Sequence, residues 1–259
     1  MRSIPPAPFK GRGSPLNPPG RFESTRREAE DDGWAPPHDE LGDGKPRTEV
    51  SDESARSIIS RNDSPDIGFM QSLNPYRGCE HGCSYCFARP NHSYVNLSPG
   101  LDFETKLFAK RNAAEVLEAE LAKPSYHCEP ITIGTATDPY QPTERRYAIT
   151  RSVLEVCVRT RHPVGLITKN ALVERDIDLL ADLARDRLAR VFISVTSLDN
   201  QLSSRLEPRA SAPHRRLTAI RKLADAGIPV GVLAAPVIPM VTDRWLEEIL
   251  DRAHDAGAR

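Results

Sequence analysis

From about Ser72 onward, short apolar runs alternate with stretches whose apolar residues recur at helical spacing. The runs predict strands near Ser72–Arg77, Ile131–Thr135, Val164–Thr168, Val191–Thr196 and Pro229–Ala235, each short enough to cross one sheet. Between them, Val173, Ile177, Leu180 and Ala184 line one helix face, and Leu217, Ile220 and Ala224 another. Gly227 follows the second set as a left-handed cap. Asp243 opens a last helix with Leu246, Ile249, Leu250 and Ala253 on one face and Gly257 closing it. Strands alternating with helices indicate an α/β fold built on a parallel sheet. Five βα units are present. A glycine-closed helix ordinarily hands the chain to another buried strand, and none follows. The expected fold is therefore an open partial (β/α) barrel with the sixth unit missing, its last strand presenting a bare edge or one covered from outside.

The first 50 residues read differently. They carry nine prolines and six glycines, with apolar residues scattered singly, so they cannot bury a core of their own. The expected organisation is an extended, largely disordered tail over 1–65 and a catalytic core over 66–259, incomplete at its C-terminal side. Within the tail, Lys10–Ser14 and Pro18–Phe22 read as solvated linker or as a basic clamp for a partner.

Charge narrows the partners little. The 35 Lys and Arg nearly cancel the 36 Asp and Glu, leaving no long-range field to gather nucleic acid or an anionic membrane. A nucleic-acid substrate stays open. No apolar run reaches the length of a membrane span and the N-terminus lacks a signal-peptide core, so a cytoplasmic location is expected.

Three of the five cysteines fall within eight residues, in Gly78-Cys79-Glu80-His81-Gly82-Cys83-Ser84-Tyr85-Cys86. Clustered thiolates of this kind bind metal in a reducing compartment rather than forming a disulfide framework. Zinc sites and four-iron clusters ordinarily close with four protein ligands, so a set of three implies an open coordination position, which catalysis requires. Gly78 and Gly82 let the backbone wrap closely around a bulky group. The alternative is a structural zinc site completed by His81, His92 or Cys128.

The CxxxCxxC spacing after a first strand, with an aromatic before the last cysteine, resembles the radical SAM superfamily. A finer resemblance, to its spore-photoproduct-lyase-like branch (DNA repair photolyase-like), spans Arg61 to Asp251. It is carried by Asn74-Pro75-Tyr76-Arg77-Gly78-Cys79, Gly134-Thr135-Ala136-Thr137-Asp138-Pro139-Tyr140-Gln141-Pro142, Ile167-Thr168-Lys169, Glu207-Pro208-Arg209 and Ala235-Pro236-Val237-Ile238-Pro239. Gly11-Arg12-Gly13 is similar to an uncharacterised bacterial subfamily of that branch. The resemblance implies a 4Fe-4S cluster on Cys79, Cys83 and Cys86, with S-adenosylmethionine (SAM) on the open iron. It further implies Thr137 and Asp138 beside the SAM amino group, Lys169 beside its carboxylate, Ser194 in contact with the cofactor and Tyr85 by the adenine. A reducing partner such as flavodoxin or ferredoxin would supply the electron. These positions fall at or near the carboxyl ends of predicted strands, where parallel α/β sheets place their sites.

The spore photoproduct lyases carry a hydrogen-returning cysteine where this chain has Thr135, and an O–H bond does not replace an S–H bond in that role. Cys128 reads as a structural thiol and Cys157 as core. Glu207 reads as an ion-pair partner or a helix-start residue, and Arg205, Arg209, Arg215 and Arg216 as a phosphate contact or a solvated face. The ranked expectations are a radical SAM enzyme of unknown substrate, then an iron-sulfur electron carrier or redox sensor, then a zinc-stabilised binding module.

Overall fold

The computed structural model describes residues 9–22 and 46–259. The chain runs through β1 (Glu49–Glu53), β2 (Ile59–Arg61), β3 (Gln71–Leu73), β4 (Tyr76–Arg77), α1 (Asp102–Thr105), β5 (Lys106–Lys110) and α2 (Ala113–Leu121). It then alternates: β6 (Ile131–Ile133), α3 (Glu144–Tyr147), α4 (Ile149–Thr160), β7 (Val164–Thr168), α5 (Ile177–Arg185), β8 (Ala189–Ser194), α6 (Asn200–Leu206), α7 (Pro213–Asp225), β9 (Val230–Leu233) and α8 (Leu246–Asp255).

The main sheet has the order β2-β3-β6-β7-β8-β9, with β2 antiparallel to β3 and every other neighbour pair parallel. Its strands alternate fully buried and partly covered positions, as in Val164, Leu166 and Thr168 against Gly165 and Ile167. Leu73, Ile133, Leu166, Val191 and Ile193 form the sheet's share of the core, and Val153, Leu154, Leu180, Leu183, Ile220 and Leu223 meet them from the helices. The sheet is open, as expected, with β2 and β9 at its edges. At the β9 edge the Arg259 N–H donates to the Val230 carbonyl at 2.9 Å. Gly227 and Gly257 both take the left-handed conformation expected of helix-closing residues.

Three expectations need correction. The strand read over Ser72–Arg77 is two strands in two sheets, because Pro75 lacks a ladder donor and the chain turns there. β4 leaves the main sheet for a second one, of order β1-β5-β4. Leu250 lies on the outer side of α8 and is exposed, while Ile249 and Ala253 carry the buried face.

The third concerns the tail. Residues 1–8 and 23–45 lie outside the described residues. The described remainder of 1–65 is tied to the core, with β1 pairing β5 in parallel and β2 extending the main sheet. These strands lack apolar runs because β1 is mostly exposed and β2 is an edge, so neither carries the signal of a buried strand.

Glu144 locks the fold below the site. Its buried carboxylate accepts the Tyr76 hydroxyl, the Thr150 N–H at 3.1 Å and the Arg175 guanidinium at 2.7 Å, joining β4, α4 and the turn before α5. Removing one partner of a buried charge network leaves the others unmatched. Glu144→Ala is expected to cost roughly 3 kcal/mol of unfolding free energy in urea denaturation, with partial recovery in Glu144→Gln. An unchanged midpoint would remove Glu144 from the account of stability.

Candidate active site

Because β3, β6, β7, β8 and β9 run parallel, the segments leaving their carboxyl ends gather at one edge of the sheet. The cysteine loop follows β3 and β4, Thr135–Asp138 follows β6, Lys169 follows β7, and Ser194 closes β8 with Thr196 two residues beyond. Asn74, at the end of β3, joins the first two: its Oδ1 accepts the Ala136 and Thr137 N–H groups at 2.9 and 3.1 Å, and its Nδ2 donates to Thr135 Oγ1 at 3.2 Å. The Thr137 hydroxyl donates to the Tyr76 carbonyl at 2.9 Å.

The loop is tightly held. Cys79 N–H donates to the Phe103 carbonyl at 2.9 Å, and Gln141 bridges the loop by accepting the Glu80 N–H at 2.9 Å and donating to the Gly78 carbonyl at 3.2 Å. Gly78 and Gly82 have positive φ, and a Cβ on either would meet its surroundings at 2.7 and 2.6 Å, so the loop can be made only with glycine there. Cys79 and Cys83 are buried and Cys86 partly so. Burial pushes all three thiols up, Cys83 to about 12, while Lys169 draws Cys83 and Cys86 back toward the thiolate. The Asp138 N–H does the same at Cys79, as does the Ala88 N–H at Cys86. Among the described residues, no three His, Cys, Asp or Glu side chains meet closely enough to hold one metal ion. The three sulfurs are neighbours without converging on a single point.

Asp138 is enclosed. Thr168 Oγ1 and the Tyr140 N–H reach its Oδ1 at 2.7 and 2.9 Å, and the Lys169 N–H reaches Oδ2 at 2.7 Å. Burial pushes its carboxyl up, but His81 and these donors outweigh that and bring it below the usual aspartate range. His81 Nδ1 lies 3.2 Å from Oδ2, an electrostatic contact too poorly angled for a full hydrogen bond. The Asn170 amide donates to His81 Nε2 at 3.1 Å while its own oxygen accepts from Leu172 N–H and Ser211. That arrangement leaves the imidazole proton on Nδ1, facing the carboxylate. Both Asp138 oxygens thus serve the protein itself, orienting Lys169 and His81.

A second buried carboxylate, Glu207, sits beside the first. Its Oε1 accepts the Tyr85 hydroxyl and the Thr196 hydroxyl, the latter at 2.8 Å, with Lys169 Nζ at 3.4 Å. Its Oε2 accepts from Arg216, whose other nitrogens donate to the Ser194 and Ser211 carbonyls at 3.0 and 2.6 Å. Lys169 also stands 5.7 Å from the Tyr85 ring centroid, a cation–π contact.

The structure therefore brings together Cys79, Cys83, Cys86, Tyr85, Asp138 and Lys169, with Thr137 turned inward onto Tyr76 and Ser194 joined to the group through its carbonyl, which accepts from Arg216. It separates the others. His92 Nε2 donates to the Lys106 carbonyl, 2.8 Å away, among Phe103 and Phe108. Cys128 is exposed and precedes β6, at the opposite end of that strand from Thr135; Cys157 is buried on α4 as expected. The four arginines share no face: Arg205 and Arg215 are exposed, Arg209 pairs with Glu80 at 3.1 Å, and Arg216 is buried on Glu207. Sequence reading missed Asn74, Gln141 and Arg216 as builders of this edge, whereas His81 supports it from beside Asp138. The Glu207-Pro208-Arg209 block carried the signal for Glu207, without its partner.

The family model described as Radical SAM superfamily matches residues 73–253, from the end of β3 to α8. The chain belongs to the radical SAM superfamily. Among relatives, an uncharacterised protein of Mycobacterium tuberculosis is 38% identical over 194 residues, covering 74% of this chain and 57% of that protein. An uncharacterised protein of Methanocaldococcus jannaschii is 25% identical over 176 residues, covering 68% of this chain and 63% of that protein. The chain spans a little over half the length of these relatives. Spore photoproduct lyase complexed with dinucleoside spore photoproduct shares the fold at a TM-score of 0.58 and 16% identity, over 80% of this chain and 57% of that one. A double mutant of that lyase with bound AdoMet and the same ligand also gives 0.58, at 17% identity and the same coverage. The fold is thus the partial α/β barrel of radical SAM proteins.

Burial pushes the Glu207 carboxyl up, but Arg216, Lys169 and the Tyr85 hydroxyl outweigh it and bring it from the ordinary 4.5 down to about 2. A carboxyl depressed in the folded state stabilises the fold above its unfolded value and loses that contribution as pH falls through the folded one. Between about pH 4.5 and about 2, urea-unfolding free energies of the parent should therefore fall more steeply than those of Glu207→Gln. Parallel profiles would contradict the arrangement.

Proposed function

We propose that this radical SAM protein is an enzyme that holds a 4Fe-4S cluster on Cys79, Cys83 and Cys86 and binds SAM beside Lys169, Ser194 and Tyr85. The observation that carries this reading is a loop of three clustered cysteines at the carboxyl edge of the sheet, with Lys169 stacked on Tyr85 between the last two and close enough to act on Cys83 and Cys86. The donor set fits such a group. A cluster takes each thiolate on a different iron, and the three loop thiols are close enough to act on one another. The glycine-only turns at 78 and 82 leave the loop backbone close-wound. A structural zinc ion is a poorer fit, since His81 faces Asp138 and Asn170, His92 faces Lys106, and Cys128 lies beyond the other end of β6.

When bound, a reduced cluster would supply one electron to SAM, whose sulfur–carbon bond would break to give methionine and a 5'-deoxyadenosyl radical. The chain's own residues prepare the place. Lys169 offers a cation to a carboxylate, held by Asp138 through its N–H and by Glu207 through its ammonium. The Tyr85 ring, fixed by its hydroxyl on Glu207, forms a flat wall beside it. Ser194 is buried at the end of β8, its backbone held by Arg216. Asp138 and Thr137, both engaged within the protein, act by shaping the β6 turn.

The reaction proposed is lyase-like, on a substrate of unknown identity. Nucleic acid is the class suggested by the likeness to spore photoproduct lyase, though the arginines near α7 lend it no basic face. Thr135 holds Asn74 rather than offering a thiol, so a hydrogen returned to a product radical would come from another donor. A flavodoxin or ferredoxin is the proposed reductant, and the cytoplasm the proposed location; among the described residues no helix is long and apolar enough to cross a membrane.

Anaerobic reconstitution tests the cofactor assignment. The parent should take up about four irons with matching sulfide, and the Cys79, Cys83, Cys86 to alanine variant should not. Lys169→Ala should keep the cluster but weaken SAM binding about tenfold in equilibrium dialysis, as loss of a charge-assisted contact predicts. Tight zinc uptake without iron, or unchanged SAM affinity in Lys169→Ala, would contradict it.

A further inference from the structure

The Gly11–Ser14 segment, read from sequence as linker or partner clamp, lies against the cysteine loop. Gly13 N–H donates to Glu104 Oε2 at 2.9 Å, and a Cβ on Gly13 would stand 1.8 Å from the Gly82 carbonyl oxygen, beside Cys83. Nothing larger than glycine fits. Glu104 is wholly buried, and its other oxygen pairs at 2.6 Å with Arg89, which in turn donates to the Cys83 carbonyl at 3.1 and 2.9 Å. One carboxylate thus joins Gly13 to the backbone of a cysteine.

Arg12 makes the second attachment. It is buried, and its guanidinium donates to the Glu104 carbonyl at 2.8 Å, the Pro46 carbonyl at 2.8 Å and Thr48 Oγ1 at 2.9 Å. The Thr48 hydroxyl passes the link on to Glu80 Oε1 at 2.8 Å, inside the loop itself, where Arg209 also binds. Beyond it, Leu16, Asn17 and Pro18 are fastened to Leu101, Asp102 and Ser98 at 2.6 to 3.0 Å. A solvated linker would not bury an arginine on three acceptors.

We propose that Arg12 and Gly13 are positioning residues of a fixed strap that braces the cysteine loop, so that the three thiols are held ready and a bound cluster is retained. The physical basis is preorganisation: a loop with two left-handed glycines gives up conformational freedom when it closes on a ligand, and the strap meets that cost in advance. The bracing of the thiols stands on the contacts alone; only the word cluster rests on the proposed function.

Thiol labelling of the full-length, metal-free protein with a maleimide tests it. In Gly13→Ala and Arg12→Ala, Cys79 and Cys83 should label about tenfold faster than in the parent, the effect expected when buried charge-assisted contacts are lost and the loop opens locally. Arg12→Lys, which keeps the charge without the planar fork, should fall between. Exposed Cys128 should label at the parent rate throughout, core Cys157 should stay protected, and Gly68→Ala, whose added methyl meets nothing within 4 Å, should match the parent. Parent-like labelling of Cys79 and Cys83 in Gly13→Ala or Arg12→Lys would overturn the proposal. So would Cys157 labelling in step with them, since the segment would then support the whole fold rather than this loop. In reconstituted protein the same variants should lose iron to a chelator about tenfold faster. A parent that takes up no cluster would sink the proposed function and leave the labelling result to decide the strap.

Discussion

Glu207 has almost no contact with solvent and is met by donors from four segments: Tyr85 of the cysteine loop, Lys169 after β7, Thr196 after β8 and Arg216 of α7. A carboxylate taken out of water must be matched on all sides or be lost as a charge. That requirement fixes where the four segments stand relative to one another. Asp138 imposes it a second time on β6, β7 and His81, and Glu104 a third time on α1, Arg89 and Gly13. The carboxyl edge is therefore a set of loops held by three buried carboxylates, in which Lys169 stands between Glu207 and the Tyr85 ring and draws Cys83 and Cys86 toward the thiolate.

Much of this was legible in the sequence, for reasons that differ by element. The parallel strands after Ser72 announce themselves because a strand with helices packed on it is mostly apolar, as Val164–Thr168 and the Val191–Ile193 run of β8 are. Cys79, Cys83 and Cys86 are legible because their spacing is itself the chemistry. β1 and β2 were invisible because polar, exposed strands carry no apolar run; they exist through pairing with β5 and β3. Arg216 and Arg12 were misread for a related reason. A charged residue is normally solvated, and only its partners in space, Glu207 for one and Glu104 with Thr48 for the other, show that it is buried.

Membership of the superfamily explains why the edge is built around a three-cysteine loop, and the likeness to spore photoproduct lyase gives the fold a solved counterpart. Other features shape the same edge: a threonine that binds Asn74 just after β6, and a glycine-arginine-glycine segment lying on the cysteine loop. The first ties the β6 turn to the end of β3, and the second ties the cysteine loop to α1 through Glu104.

The most direct measurement is chromatography of the products formed when anaerobically reconstituted protein is mixed with SAM and dithionite. The account predicts 5'-deoxyadenosine from the parent and none from the protein lacking the three cysteines. A parent that assembles its cluster, binds SAM and still releases no 5'-deoxyadenosine would contradict it.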